Sequence, residues 1–178
     1  MKWLNGASYE GDWDHNHAYG NGKFIHPEGD MYDGKYLCNK ANGYGTYTNK
    51  NGDIYAGNWV NDMQHGEGVE TMANGDKFEG TFFMGDREGK GKFTGVNGTR
   101  YDGDWHLGKH HGYGVQVFSN GNIYRGKWKL NCIDGYGVYE YADKNEYRGQ
   151  FKKDKKHGYG IFTWVDGRKY MGWWSKGK

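Results

Sequence analysis

Proline is almost missing from this chain: Pro27 stands alone among 178 residues. Cysteine is nearly as rare, with Cys38 and Cys132 only. Leu, Ile and Val are scarce too, so the aromatic residues, 18% of the chain, must carry most of the burial. No apolar run approaches the ~18 residues of a membrane-spanning helix. Met1-Lys2-Trp3-Leu4-Asn5-Gly6 lacks the apolar stretch of a secretion signal. The chain therefore reads as intracellular, and Asn97-Gly98-Thr99 reads as a turn, not a glycosylation acceptor. A strong net charge is also absent, with 24 basic and 22 acidic residues. That balance hides a division. Residues 1–123 hold 11 basic and 16 acidic side chains, net −5, whereas 124–178 hold 13 and 6, net +7. Near neutrality and an acidic N-terminal part argue against a nucleic-acid partner.

What the chain has in excess is glycine, 33 residues, well above the usual ~7%. The glycines are periodic, which excludes a disordered linker. An aromatic-x-Gly-x-aromatic unit begins at Tyr9, Tyr32, Tyr55, Phe78, Tyr101, Tyr124, Tyr147 and Tyr170, at a constant step. A Gly-x-Gly follows in the first seven copies, starting at Gly20, Gly43, Gly66, Gly89, Gly112, Gly135 and Gly158. A turn pair such as Asn51-Gly52 or Asn120-Gly121 closes most copies, and Asp143-Lys144 breaks the pattern. Self-similarity at a fixed period signals a repeat architecture.

The residue types set the geometry of one repeat. Tyr9, Gly11 and Trp13 are two apart and share a strand face, as do Gly20, Gly22 and Phe24. The stretch between Trp13 and Gly20 reads as a chain-reversing loop. Asn-Gly reads as a tight two-residue turn with positive φ. Each repeat is then two antiparallel strands, with large rings lying over the Gly-x-Gly of the adjoining strand. The predicted fold is all-β: a single array over 1–178, built as an elongated, single-layer antiparallel meander of hairpins. At the strand spacing of about 4.8 Å it would extend roughly 75 Å. Cys38 and Cys132 fall in mid-repeat loops roughly 40 Å apart on that spacing, and so are free thiols.

The pattern Tyr-x-Gly-x-Trp, then His-Gly-x-Gly, then Asn-Gly-x-x-Tyr resembles the MORN repeat (membrane occupation and recognition nexus), in eight copies from Gly6 to Lys178. The resemblance implies an elongated, twisted single sheet. It also implies a binding platform, as in membrane-junction proteins, cytoskeletal and flagellar scaffolds, and modules attached to lipid kinases and methyltransferases. It names no partner.

No catalytic site, metal site or cofactor is expected. Gly103 to Lys109 has the spacing of a phosphate-binding loop, but the Ser/Thr and the following helix are missing. His65, His111 and His157 recur at alternate copies, too far apart to share one metal. The function read from the sequence is a non-enzymatic scaffold. Its partner groove would be lined by Trp13, Tyr32, Tyr55, Trp59, Tyr101, Trp105, Tyr124 and Trp128, with a helix or cytoskeletal component as occupant. The alternatives are a peripheral tether on anionic phospholipid through Arg125, Lys127, Lys129, Lys152, Lys153, Lys155 and Lys156, or a regulatory module of a larger enzyme such as a lipid kinase. The array begins and ends in mid-repeat, so either it continues further or it leaves open strands through which two copies would associate. The apolar residues Leu37, Val60, Met63, Phe83, Met84, Leu107, Leu130 and Ile133 near the mid-repeat loops are expected to tuck back over their own hairpins.

Overall fold

Alternation of period two, with rings and glycines gathered on one face, favours strand. The computed structural model describes all of residues 1–178 and contains fifteen strands and no helix. The first strands of the repeats are β1 (Ser8–Asp14), β3 (Met31–Leu37), β5 (Ile54–Val60), β7 (Lys77–Phe83), β9 (Arg100–His106), β11 (Ile123–Lys129) and β13 (Glu146–Lys152). The second strands are β2 (His17–Ile25), β4 (Lys40–Thr48), β6 (Met63–Thr71), β8 (Asp86–Thr94), β10 (Lys109–Val117), β12 (Cys132–Glu140) and β14 (Lys155–Thr163). β15 (Lys169–Trp174) opens an eighth copy. The strands follow chain order across one antiparallel sheet. The chain divides into two compact units, Met1–Arg87 and Glu88–Lys178.

The two turns of a repeat exchange the roles expected of them. The mid-repeat connection is the tight one. Only Cys38-Asn39 separates β3 from β4, and only Leu130-Asn131 separates β11 from β12, with both residues of each pair at positive φ. That is the backbone signature of a two-residue hairpin turn whose twist matches the strands. The Asn-Gly connection is longer. Between β2 and β3 the amide of His26 donates to the carbonyl of Asp30, and the amide of Gly29 donates to that of His26. One left-handed residue closes this loop, Gly29 at φ +102° or Gly52 at +94°. Lys144 takes the same conformation at φ +71°. Cys38 is therefore a turn residue and Cys132 the first residue of a strand; both are free thiols.

Seven of the eight apolar residues at the mid-repeat end are exposed, between 36% and 57%, and only Ile133 is buried. The expected tucking back fails because a two-residue turn leaves no slack in which Leu37 or Phe83 could fold over its own hairpin.

The core is a stack of rings over bare backbone. Gly126 pairs with Gly137 across β11 and β12, and the Tyr124 ring covers both. A methyl group placed on Gly137 would lie 2.4 Å from the Tyr124 hydroxyl oxygen and 2.5 Å from its ring. Tyr9, Tyr32, Tyr55, Tyr101 and Tyr147 cover the paired glycines of their own hairpins in the same way. The two glycines of Gly-x-Gly thus have different duties: the second lies under the ring, and the first takes positive φ in a bulge, as at Gly112 and Gly135. The tyrosine hydroxyl donates to the carbonyl three residues on, at 3.0 Å from Tyr124 to Lys127, where the register slips. A carbonyl freed by the bulge is thereby satisfied.

Tryptophan ties one repeat to the one before it. The Trp59 indole N–H donates to the Gly45 carbonyl at 3.1 Å, and Trp105 does so to Gly91 at 3.0 Å. The same rings meet the tyrosines edge to face, Tyr32–Trp59 at 5.3 Å and Tyr101–Trp128 at 5.6 Å, contacts worth about 0.5–1.5 kcal/mol each. At the sheet margins the Asp62 carboxylate accepts from the Ala41 amide, and Asp154 from Ile133, both at 2.7 Å.

Gly137→Ala is expected to destabilise by about 3 kcal/mol through overpacking, whereas Gly98→Ala, with nothing within 4 Å, should lose only the ~1 kcal/mol of its left-handed backbone. Thermal and urea unfolding check the difference, and equal losses would contradict the packing described. Lys144→Gly should raise stability by about 0.5–1 kcal/mol, read as a higher melting temperature.

Candidate functional site

The inner faces of the repeats are not equally filled, and one position decides where they stay open. The second residue of each second strand sits on the inner face beside the covering ring. Along the chain it reads Ala18, Ala41, Gln64, Arg87, His110, Ile133, Lys156. In Glu88–Lys178 large side chains take the space. His110 stacks on Tyr101, with ring centres 3.6 Å apart and planes 3° from parallel. Ile133 is 5% exposed, and the Lys156 ammonium lies over three rings. In Met1–Arg87 the two alanines leave a groove of about 640 Å³, walled by Trp3, Trp13, Tyr36 and Trp59 and floored in part by Ala18 and Ala41. The lining reaches Gln64 in the next copy; in the copy after that Arg87 fills the equivalent place, held over Phe78 at 4.5 Å and donating through Nε and Nη2 to Glu70. Glu70 stands where Phe24, Tyr47, Phe93, Tyr139 and Phe162 carry a ring, and its carboxylate holds the Arg87 guanidinium in place.

The residues expected to line a partner groove therefore divide. Trp13, Tyr32 and Trp59 line the groove, Trp13 with 43% of its surface open but Tyr32 and Trp59 with only 7% and 8%, so these two present little more than the edge of a ring. Tyr55, Tyr101 and Tyr124 are 2%, 1% and 0% exposed, and Trp105 and Trp128 are buried as well. These five are packed into the sheet's own aromatic layer and offer a partner almost no surface. The periodic pattern conceals this, because covering ring and wall ring look alike in every copy. The signal that separates them is the small residue beside them, at Ala18 and Ala41.

The basic residues expected to meet lipid also fall into two sets. Arg125, Lys127 and Lys129 alternate with the buried face of β11 and so point outward. Lys152 and Lys155 pair across the outer face of β13 and β14, with Lys153 in the turn between. Arg125 is joined to Glu140 in an ion pair. Lys156 lies on the inner face, where burial lowers its pKa. The outer face also carries a row that sequence reasoning missed: Tyr113, Tyr136, Tyr159 and Trp173, between 51% and 76% exposed. Tyr113 pairs with Lys127, and Tyr159 with Trp173. For the three tyrosines the signal was the middle residue of Gly-x-Gly, which alternation sends outward; Trp173 follows the glycine of β15 and faces the same way as its partner Tyr159.

No group of three or more His, Cys, Asp and Glu side chains is arranged to hold a metal. Burial pushes the phenols of Tyr32, Tyr47, Tyr55 and Tyr147 up to about 12. Asp62 adds to the shift at Tyr32, and the bond that Tyr47 donates to Asp30 adds to the shift there.

Seven consecutive matches to the MORN repeat cover residues 9–31, 32–54, 55–77, 78–100, 101–123, 124–146 and 147–167. The chain belongs to the MORN-repeat family. The eighth copy, begun at Tyr170, lies outside those matches, so seven repeats are established. Among solved structures the array is similar to the wild-type TCP10 domain of Danio rerio CPAP, at 13% identity and TM-score 0.53, over 97% of this chain and 82% of that one. It is also similar to the SAS-4 (dCPAP) TCP domain of Drosophila melanogaster, solved with a proline-rich motif of Ana2 (dSTIL), at 15% identity and TM-score 0.49, over 85% and 83%. A streptogramin B lyase overlaps at TM-score 0.20 and 10% identity, over 96% of this chain and 52% of that one. The first likeness is one of fold, and the two lower scores add nothing to it. No curated protein sequence matches the chain.

Alkaline pH should unfold this MORN array. A free phenol titrates near 10, and the buried ones near 12, so folding favours the neutral form. Their contribution is complete below about pH 10 and is lost as pH rises towards 12. The last part of the tyrosinate absorbance, that of the buried phenols, and the circular dichroism should change together in that window. Full ionisation near pH 10 with the sheet intact would contradict it.

Proposed function

We propose that this MORN array is a non-enzymatic scaffold whose groove in Met1–Arg87 receives a segment of a partner protein. The observation that carries the reading is the groove itself: rings on its walls, alanine at two consecutive inner positions, and an exposed Trp13 at its rim. Aromatic side chains are the commonest anchors at protein interfaces, and a helix laid apolar side down suits a groove of this kind. In this reading the array works in the cytoplasm, next to cytoskeletal or membrane structures, and catalysis belongs to other proteins. Ala41→Ile is the informative variant, because isoleucine already occupies the corresponding place at Ile133. Peptides selected by display against the wild-type chain should bind the variant at least about tenfold more weakly, a loss of roughly 1.4 kcal/mol. Its melting temperature should be unchanged or higher. Selected peptides that bind both chains equally place the partner elsewhere and refute the groove.

A second reading is favoured by the outer face of Glu88–Lys178. There the exposed Tyr113, Tyr136, Tyr159 and Trp173 share a surface with Arg125, Lys127, Lys152 and Lys155. Rings with a polar edge beside cations suit the headgroup layer of an anionic membrane. Flotation with phosphatidylserine vesicles should recover the protein at low salt and less of it at physiological salt. Lys152→Glu with Lys155→Glu should abolish recovery. Equal recovery on neutral vesicles would remove this reading.

A further inference from the structure

The inner position that is alanine in the groove holds a cation elsewhere in the same chain. The Lys156 ammonium lies 4.1 Å from the centre of the Trp174 ring, 4.7 Å from Phe162 and 5.6 Å from Tyr147. Arg87 occupies the equivalent place over Phe78. Ring faces attract cations through their quadrupole, and more strongly where water is displaced.

The same cage recurs around Ala41 without its lysine. Tyr32, Tyr47 and Trp59 hold the repeat positions of Tyr147, Phe162 and Trp174. Ring centres in the two cages are equally spaced: 5.3 Å for Tyr32–Trp59 and for Tyr147–Trp174, and 6.2 Å for Tyr47–Trp59 and for Phe162–Trp174. The second pair is inclined at 67° around Ala41 and at 41° around Lys156. The Ala41 cage has carboxylates that the other lacks. Asp62 lines it, at the position that Gly177 takes beyond Lys156. Asp30 stands behind Tyr47, accepting its phenol at 2.8 Å. The surrounding unit is acidic, with 7 basic and 13 acidic residues over 1–87, net −6, and attracts a basic segment.

We infer that the Ala41 slot binds the side chain of a lysine or arginine presented by a partner protein. The inference rests on the groove reading and adds the chemistry of the occupant: an alkyl stem against the rings and a charged end within the cage, near Asp62. Phe24 and Tyr36 beside Ala18 form a second, similar place, which gives a partner with two spaced cations a reason to prefer this groove.

The test uses n-butylammonium as the lysine probe and 1-butanol as its neutral counterpart, titrated into the full chain while the indole N–H resonances of Trp59 and Trp174 are followed. Butylammonium should shift Trp59 with about tenfold higher affinity than butanol. Ala41→Lys should lose the response, since its own ammonium takes the slot as that of Lys156 does. Lys156→Ala should gain the response at Trp174, and this arm decides the matter if Ala41→Lys does not fold. Equal binding of the two probes overturns the inference while leaving the scaffold reading intact. A Trp59 that responds to neither probe overturns it too, and peptide selection then judges the scaffold reading by itself. Recovery on phosphatidylcholine vesicles that is lost in Ala41→Lys would assign the slot to a lipid headgroup and overturn the protein partner.

Discussion

The structure depends on one contact: a tyrosine ring laid across two paired glycines. A single sheet has no second layer against which to bury its side chains. Here the rings turn back onto their own backbone, and glycine is the only residue over which they can lie, as the 2.4 Å approach at Gly137 makes plain. Everything else is fitted to that contact. The bulge opposite a first strand frees a carbonyl, and the tyrosine hydroxyl takes it up in every such copy except the one covered by Phe78. Where the next copy carries a tryptophan, its indole bonds the glycine carbonyl of the previous repeat, and Tyr36, Phe82 and Phe151 meet the previous tyrosine edge to face, so hairpins are completed by their neighbours, as repeat architectures require.

Because the covering ring is fixed, function has to be written in the residues around it. One inner position varies freely, from Ala18 to Lys156, and its size opens or fills the space beside the ring. Where it is alanine a groove remains. Where it is arginine, histidine or lysine, the chain occupies its own aromatic surface. The outer face varies independently, since alternation sends its side chains the other way. A repeat of this kind can carry two unrelated surfaces on one backbone.

Much of this was legible in the sequence. Constant spacing fixed strands, hairpins and the pairing of rings with glycines, because period-two alternation admits few alternatives. The exchange of the two turns was less visible. Asn-Gly is the familiar mark of a tight hairpin, yet the tight turn sits at Cys38-Asn39 and Leu130-Asn131, where the chain tolerates two successive positive φ values. The site was the least legible part. Trp128 and Trp59 hold the same place in the repeat, and the neighbour, His110 against one and Ala41 beside the other, decides whether the ring is covered or lines a groove. Likewise Lys155 and Lys156 are adjacent in a basic run, but strand alternation sends one outward and the other into the rings.

The ring-over-glycine contact is best tested by proton chemical shifts of the glycine Hα atoms. A proton beneath the face of an aromatic ring is moved strongly upfield by the ring current, whereas one in an open bulge is not. Gly22, Gly45, Gly68, Gly114, Gly137 and Gly160 should show upfield Hα resonances, with Gly20, Gly112 and Gly135 near ordinary values. Ordinary shifts at all of these glycines would mean that the rings do not lie on the backbone, and the account of the fold would be wrong.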